Sequence, residues 1–184
     1  LHWTFRYPVD FGSSYGIAVA PRSAPTIDGD LVFVLGVASD LHCLSLKTGE
    51  VVWKKNLSQE FGKAPFFFGQ GSSPLVVGDQ LIVHAGGSVC VASFDKQTGE
   101  LRWGTKHTWN GSYASPVLGE LHGKPRVLVF AGGMTKPPHG GLLSIDPANG
   151  KIDDAFPWRA RMFASVNAAS PVIVGNSVFI TEGY

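Results

Sequence analysis

The stretch KTGEVVW at 47–53 returns as QTGELRW at 97–103, and a looser copy, LLSIDPANGKIDDAFPW, ends at Trp158. The turn glycines Gly49, Gly99 and Gly150 are spaced 50 and 51 residues apart. A second marker keeps the same period: a small residue followed by Pro25, Pro74, Pro116 and Pro171, each opening a short apolar run, a turn and a second apolar run. Self-similarity at a fixed period of this length constrains a fold more than any local propensity, because each unit buries its faces only against its neighbours.

Within a unit the pattern gives four strands, near 24–28, 31–36, 41–46 and 50–55 in the first. β-Branched and aromatic residues fill them, as in Leu31-Val32-Phe33-Val34, Leu81-Ile82-Val83 and Val127-Leu128-Val129-Phe130. DGD, VGD, HGKP and VGN form the first turns and KTG, QTG and ANG the last, with Gly supplying φ > 0. Asp95 and Asp146 stand four residues before their turn glycines, where a carboxylate accepts turn N–H groups; Ser45 does the same more weakly. No segment of 10–15 residues has helical periodicity. The expectation is an all-β chain of four-stranded antiparallel blades, a β-propeller. Blades are expected at about 21–56, 72–107 and 113–159, with a half-blade at 168–184 and residues 1–10 as the last strand of a preceding blade. Trp3, Trp53, Trp103 and Trp158, with the turn glycines, are the expected blade-docking residues. Tryptophan covers about 150–250 Å² and retains one N–H for a backbone carbonyl.

Composition narrows the classes. Of 184 residues 44% are hydrophobic and 16% charged, with a net charge of +1, which is globular and carries no basic stripe for nucleic acid. The start, LHWTFRYPVDF, is not a signal peptide, and no run of about 18 apolar residues spans a membrane. Cys43 and Cys90 have no CxxC spacing and read as buried thiols. The six histidines show neither HxxxH nor HExxH, and His42 and His84 fall within strand patterns as structural residues.

DKQTGELRW and LKTGEVVW, together with the SSP and ASP strand starts, resemble the pyrroloquinoline-quinone (PQQ)-type repeat of quinoprotein alcohol dehydrogenase-like propellers, over Trp3 to Tyr184. WD repeats would need Gly-His and Trp-Asp, and neither is present. Kelch repeats would fit Gly86-Gly87 and Gly132-Gly133 but not LGVAS in the first unit. The resemblance implies a ring of seven or eight blades, of which this chain is an arc of about three and a half and a fragment; a small four-bladed ring would lack a third strand. It also implies an extracytoplasmic, periplasmic setting and three functional alternatives. One is a non-catalytic scaffold binding other envelope proteins. The others are part of a PQQ-dependent alcohol or sugar dehydrogenase, and a propeller binding a small ligand in its channel.

The loops before the four prolines face the channel mouth, and there Arg22, Gln70, Ser72, Tyr113 and Asn167 are the candidate ligand or cofactor contacts. Arg22 suits a carboxylate, Tyr113 stacks or hydrogen-bonds, and Asn167 both donates and accepts. Quinone chemistry with calcium, implied by resemblance only, calls for carboxylates and commonly a vicinal cysteine pair. These loops carry no Asp or Glu, Cys-Cys is absent, and Asp10 and Glu60 lie on flanking segments. No catalytic or metal residue is assigned. The sequon Asn110-Gly-Ser112, the 136–141 insertion KPPHGG and the cluster Phe66-Phe67-Phe68 complete the unassigned features. An unclosed arc leaves apolar faces and strand edges open. The 184-residue piece is therefore expected to self-associate, and a monodisperse monomer in light scattering would count against the arc.

Overall fold

A computed structural model describes residues 2–9, 11, 21–64, 66–109, 111–132, 139–161 and 166–183. Asp10, Asn110 and residues 136–138 of the insertion lie outside the described residues. The first blade runs β1 (Thr26–Asp28), β2 (Leu31–Leu35), β3 (Asp40–Ser45) and β4 (Val51–Asn56). A single turn of helix, α1 (Leu57–Phe61), follows, its first turn capped by Asn56, whose side chain accepts from Gln59 N at 2.9 Å. The second blade is β5 (Leu75–Val77), β6 (Gln80–Gly86), β7 (Val89–Asp95) and β8 (Leu101–Thr105). The third is β9 (Val117–Leu121), β10 (Lys124–Ala131), β11 (Gly141–Ile145) and β12 (Ile152–Pro157). A two-stranded sheet, β13 (Val172–Val174) with β14 (Ser177–Phe179), begins a fourth. Each four-stranded sheet pairs its strands antiparallel in sequence order, as a propeller blade does.

The central strands explain why their sequences read as continuous apolar runs rather than alternating ones. Along β6, Leu81 and Val83 face the first blade, where Phe33, Leu41, Leu57 and Phe94 close one core. Ile82, on the other face, joins Val91, Val127, Val129, Leu143 and Ile145 in the next. Alternation is present but both faces are covered. β4, β8 and β12 lie outermost and largely exposed, whereas β1, β5 and β9 lie side by side around the axis. β9 also meets the start of the fourth blade, since a Cβ on Gly119 would lie 2.0 Å from Ile173 Cδ1.

The repeated turn closes on the same backbone bond three times. Ser45, Asp95 and Asp146 each receive the N–H of the turn glycine on their carbonyl, at 2.8, 2.9 and 2.9 Å. Asp95 Oδ1 also accepts Gln97 N and Thr98 N at 2.9 Å, and Asp146 Oδ1 accepts Ala148 N at 2.9 Å. Arg102, and then the Thr98 N–H, hold the Asp95 carboxyl down to about 2. Just past the turn a register shift recurs, at Cys43/Leu44, Ser93/Phe94 and Ser144/Ile145. It turns one residue aside and aims the next side chain at the neighbouring blade.

That side chain is tryptophan. Trp53 Nε1 donates to Lys96 O at 3.0 Å, and its ring covers Gly99, where a Cβ would lie 2.8 Å from Cδ2. Trp103 repeats this on Pro147 O at 3.0 Å and Gly150, and Trp3 on Leu46 O at 2.8 Å and Gly49. Residues 2–9 thus sit where a preceding blade's last strand would, although among the described residues no strand pairs with them. Trp158 does not hold the docking position. The register opposite Ser144, equivalent to that of Trp53 and Trp103, belongs to Asp154. Four extra residues carry Trp158 about 13 Å further along an extended chain, beyond β12, where its ring lies 6.0 Å from Phe130.

Trp53→Phe, which keeps most of the contact and loses the N–H bond, is expected to lower stability in urea unfolding by about 1 kcal/mol. Trp53→Ala should cost about 3–5 kcal/mol. Gly99→Ala combines a φ of +73° with the clash on Trp53, and is expected to destabilise more than Trp53→Phe.

Candidate functional site at the channel mouth

At the end of the blades opposite the tryptophan turns, the loops before Pro25, Pro74, Pro116 and Pro171 converge on the axis. Proline has no N–H and opens each inner strand, so the residue before it holds the last free backbone donor. That donor is used to bind the next blade: Ala24 N donates to Ser73 Oγ at 2.9 Å, Ser73 N to Ser115 Oγ at 2.8 Å, and Ser115 N to Ser170 Oγ at 3.1 Å. The SSP and ASP tripeptides therefore encode a relay of hydroxyls from blade to blade. Sequence reasoning singled out the tripeptides as markers without seeing this role for their serines.

Four residues before proline stand Gln70, Ser112 and Asn167, and all turn inward. Gln70 Nε2 donates to His84 O at 2.6 Å, Ser112 Oγ to Phe130 O, and Asn167 Nδ2 to the same Phe130 O at 3.1 Å. His84 and Phe130 occupy matching places near the ends of β6 and β10, and Leu35 O, matching in β2, accepts from Ser23 Oγ. These side chains cap the carbonyls that the second strands leave where their ladders end. Gln70 and Ser72 are fully buried and Asn167 is 1% exposed. Gln70 Oε1 and Ser72 Oγ find no hydrogen-bond partner among the described residues.

One position closer to proline, the side chains point to the rim. Arg22 is exposed, and Gly71 separates it from Tyr113: a Cβ on Gly71 would lie 3.7 Å from Arg22 Cβ and 3.4 Å from Tyr113 Cδ1. Tyr113 Oη accepts Phe68 N at 3.2 Å, and its ring packs 5.9 Å from both Phe66 and Phe68. Burial pushes the Tyr113 hydroxyl up, while the Phe68 and Phe67 amides and the Arg22 charge pull it down. The structure thus divides the five candidates into two sets, with Arg22 and Tyr113 on the rim and Gln70, Ser72 and Asn167 beneath it.

The carboxylates at this end are separately engaged. Asp40 accepts from Asn56 Nδ2 at 2.8 Å, Glu60 pairs with Lys55 at 3.0 Å, and the buried Glu182 takes Arg159 and Ala160 N. Sequence reasoning missed the Arg159–Glu182 pair, which lies 23 residues apart and has no spacing signature. Among the described residues no three His, Cys, Asp or Glu side chains come together. Calcium takes six to eight oxygens, usually with carboxylates among them. The described part of the mouth does not fit a calcium–quinone pair.

Both thiols are buried, Cys43 in β3 and Cys90 in β7. Cys90 Sγ donates to Trp109 O at 2.9 Å and lies 3.5 Å from His84 Nε2. Burial pushes Cys90 up to about 12 and Cys43 up to about 11. The native protein is expected to leave iodoacetamide unreacted at pH 8 and to take two labels when unfolded, read by intact mass. The unfolded thiols ionise from about pH 8.5 and the folded ones only near 11 to 12. The thiols' contribution to stability is therefore full below about pH 8.5 and falls as pH rises above it.

A family model described as outer membrane protein assembly factor BamB matches residues 3–184. Quinoprotein glucose dehydrogenase A of Acinetobacter calcoaceticus is 28% identical over 137 residues, 69% of this chain and 16% of that protein. The quinohemoprotein alcohol dehydrogenase of Comamonas testosteroni superimposes with a TM-score of 0.61 at 16% identity, over 75% of this chain and 21% of that one. BamB from Moraxella catarrhalis does so with a TM-score of 0.59 at 17% identity, over 91% of this chain and 45% of that one. The chain therefore spans less than half the length of each of these relatives. The tryptophan turns, the blade order and the match over nearly the whole chain place this protein in the PQQ-like repeat β-propeller family whose model is described as outer membrane protein assembly factor BamB.

Proposed function

We propose that the chain is part of a non-catalytic propeller scaffold that binds partner proteins in the cell envelope. The observation that carries this reading is the use made of the mouth's polar groups. Gln70, Ser112 and Asn167 cap backbone carbonyls, Ser73, Ser115 and Ser170 join blades, and Tyr113 receives the Phe68 amide. These contacts hold neighbouring blades and strand ends to one another, which supports a scaffold over a redox site, where polar groups bind and orient a cofactor. The family description, outer membrane protein assembly factor, supports an envelope setting, and no described helix is long and apolar enough to cross a membrane.

The competing reading, a quinone-dependent dehydrogenase, draws on the likeness to glucose dehydrogenase A. Reconstitution of the full-length protein with pyrroloquinoline quinone and calcium separates the two. The scaffold reading expects no quinone binding by calorimetry and no dye-linked turnover with alcohols or sugars. Turnover with any of them would replace it by the dehydrogenase.

A further inference from the structure

The hairpin between β2 and β3 closes as a three-residue loop: Gly36 N donates to Asp40 O at 2.8 Å and Ser39 N to Gly36 O at 2.9 Å. The last residue of such a loop takes the left-handed conformation, a place that suits glycine. Here it is Ser39, at φ +69°. The matching hairpin between β6 and β7 turns on Gly86 and Gly87, at +75° and +68°. A Cβ in this region is sterically costly. The turn itself does not use the serine side chain: Ser39 is 4% exposed, and its Oγ makes no hydrogen bond among the described residues. Strained non-glycine residues of this kind cluster where a ligand is held.

Ser39 lines a cleft of about 680 Å³ between its loop, α1 and Phe11, within the range of about 300–1,000 Å³ of small-ligand sites. Among the described residues α1 has no counterpart after β8 or β12. It is tied to the hairpin twice. Leu57 N donates to Ser39 O at 3.0 Å, and Asn56 uses both ends of its amide, Oδ1 accepting Gln59 N at 2.9 Å and Nδ2 donating to Asp40 Oδ1 at 2.8 Å. That fixes one oxygen of Asp40, a cleft residue, and leaves Oδ2 with no partner among the described residues. Lys63 lines the same cleft, is exposed, and makes no ion pair among the described residues, with Asp40 or any other group. Val37, Phe11 and Phe66 supply an apolar wall, and the Phe66 ring is braced 5.9 Å from Tyr113. A carboxylate and an ammonium that share a cleft without pairing match a ligand that carries both opposite charges, since charge-assisted hydrogen bonds are the strong ones.

We propose that this cleft binds a free amino acid with an aromatic or large aliphatic side chain. Its ammonium is taken by Asp40 and the Ser39 hydroxyl, its carboxylate by Lys63, and its side chain by Phe11 and Phe66. Serine stands at a glycine position because the ligand uses its hydroxyl. The site goes beyond the scaffold reading, which stands or falls without it.

The test is calorimetry on the chain as it stands, titrated with L-phenylalanine and L-leucine, and then with 2-phenylethylamine and 3-phenylpropionate, which carry one charge each. Saturable binding of at least one amino acid is expected, with a dissociation constant below about 1 mM. Each single-charge analogue should bind at least about tenfold more weakly than phenylalanine. Asp40→Asn and Lys63→Gln should each weaken binding about tenfold with an unchanged circular dichroism spectrum, and Glu100→Gln, in the turn before Trp103, should leave it unaltered. Ser39→Gly separates binding from folding. Glycine accepts φ +69°, so the urea midpoint should hold or rise while affinity falls at least about fivefold. A merely structural serine would lose neither. No saturable binding of either amino acid overturns the proposal, as does equal binding of phenylalanine and either analogue. So does full affinity in Ser39→Gly, or indifference to both Asp40→Asn and Lys63→Gln, which would place the ligand elsewhere.

Discussion

An indole laid over a glycine turn, with its N–H on the carbonyl three residues before that glycine, joins each blade to the next. Neither half of this contact works alone. The glycine permits the left-handed turn and leaves the space that a Cβ would fill. The indole covers the apolar edge of the neighbour and satisfies a carbonyl that the turn would otherwise leave to solvent. Because the pairing is between blades, its strength is a property of the array, and the cores between blades are complete only where both neighbours are present.

The inner end solves the same problem by hydrogen bonding. The serine relay before the prolines and the side-chain caps on His84 O and Phe130 O tie inner strands together where they are short, three residues in β1 and β5. Polar residues at a propeller mouth invite a ligand-binding interpretation. Here most of them hold backbone or join neighbouring blades. The two ends of the described blades thereby have different chemistry: hydrogen-bonded at the mouth, indole-docked at the turns.

Much of the fold was legible because a repeat carries the same information several times over. The strand positions of the first unit, the Asx-type bonds of Asp95 and Asp146 and the docking of Trp53 on the next turn all follow from one aligned motif. Trp158 shows where that reasoning fails. It was matched by its nearness to a turn glycine, whereas docking depends on register, and register gives the place to Asp154. The one-turn helix after Asn56 is too short to leave a periodic signal, and the Arg159–Glu182 pair forms only after two distant loops meet.

The sequence by itself determined the architecture, since period, turn glycines and strand alternation are local facts repeated along the chain. It also determined which loops reach the mouth. What those loops do was decided by the tertiary structure. Whether Gln70 or Asn167 faces a ligand or a carbonyl depends on which neighbouring strand end lies within hydrogen-bonding distance, and that neighbour comes from elsewhere in the chain.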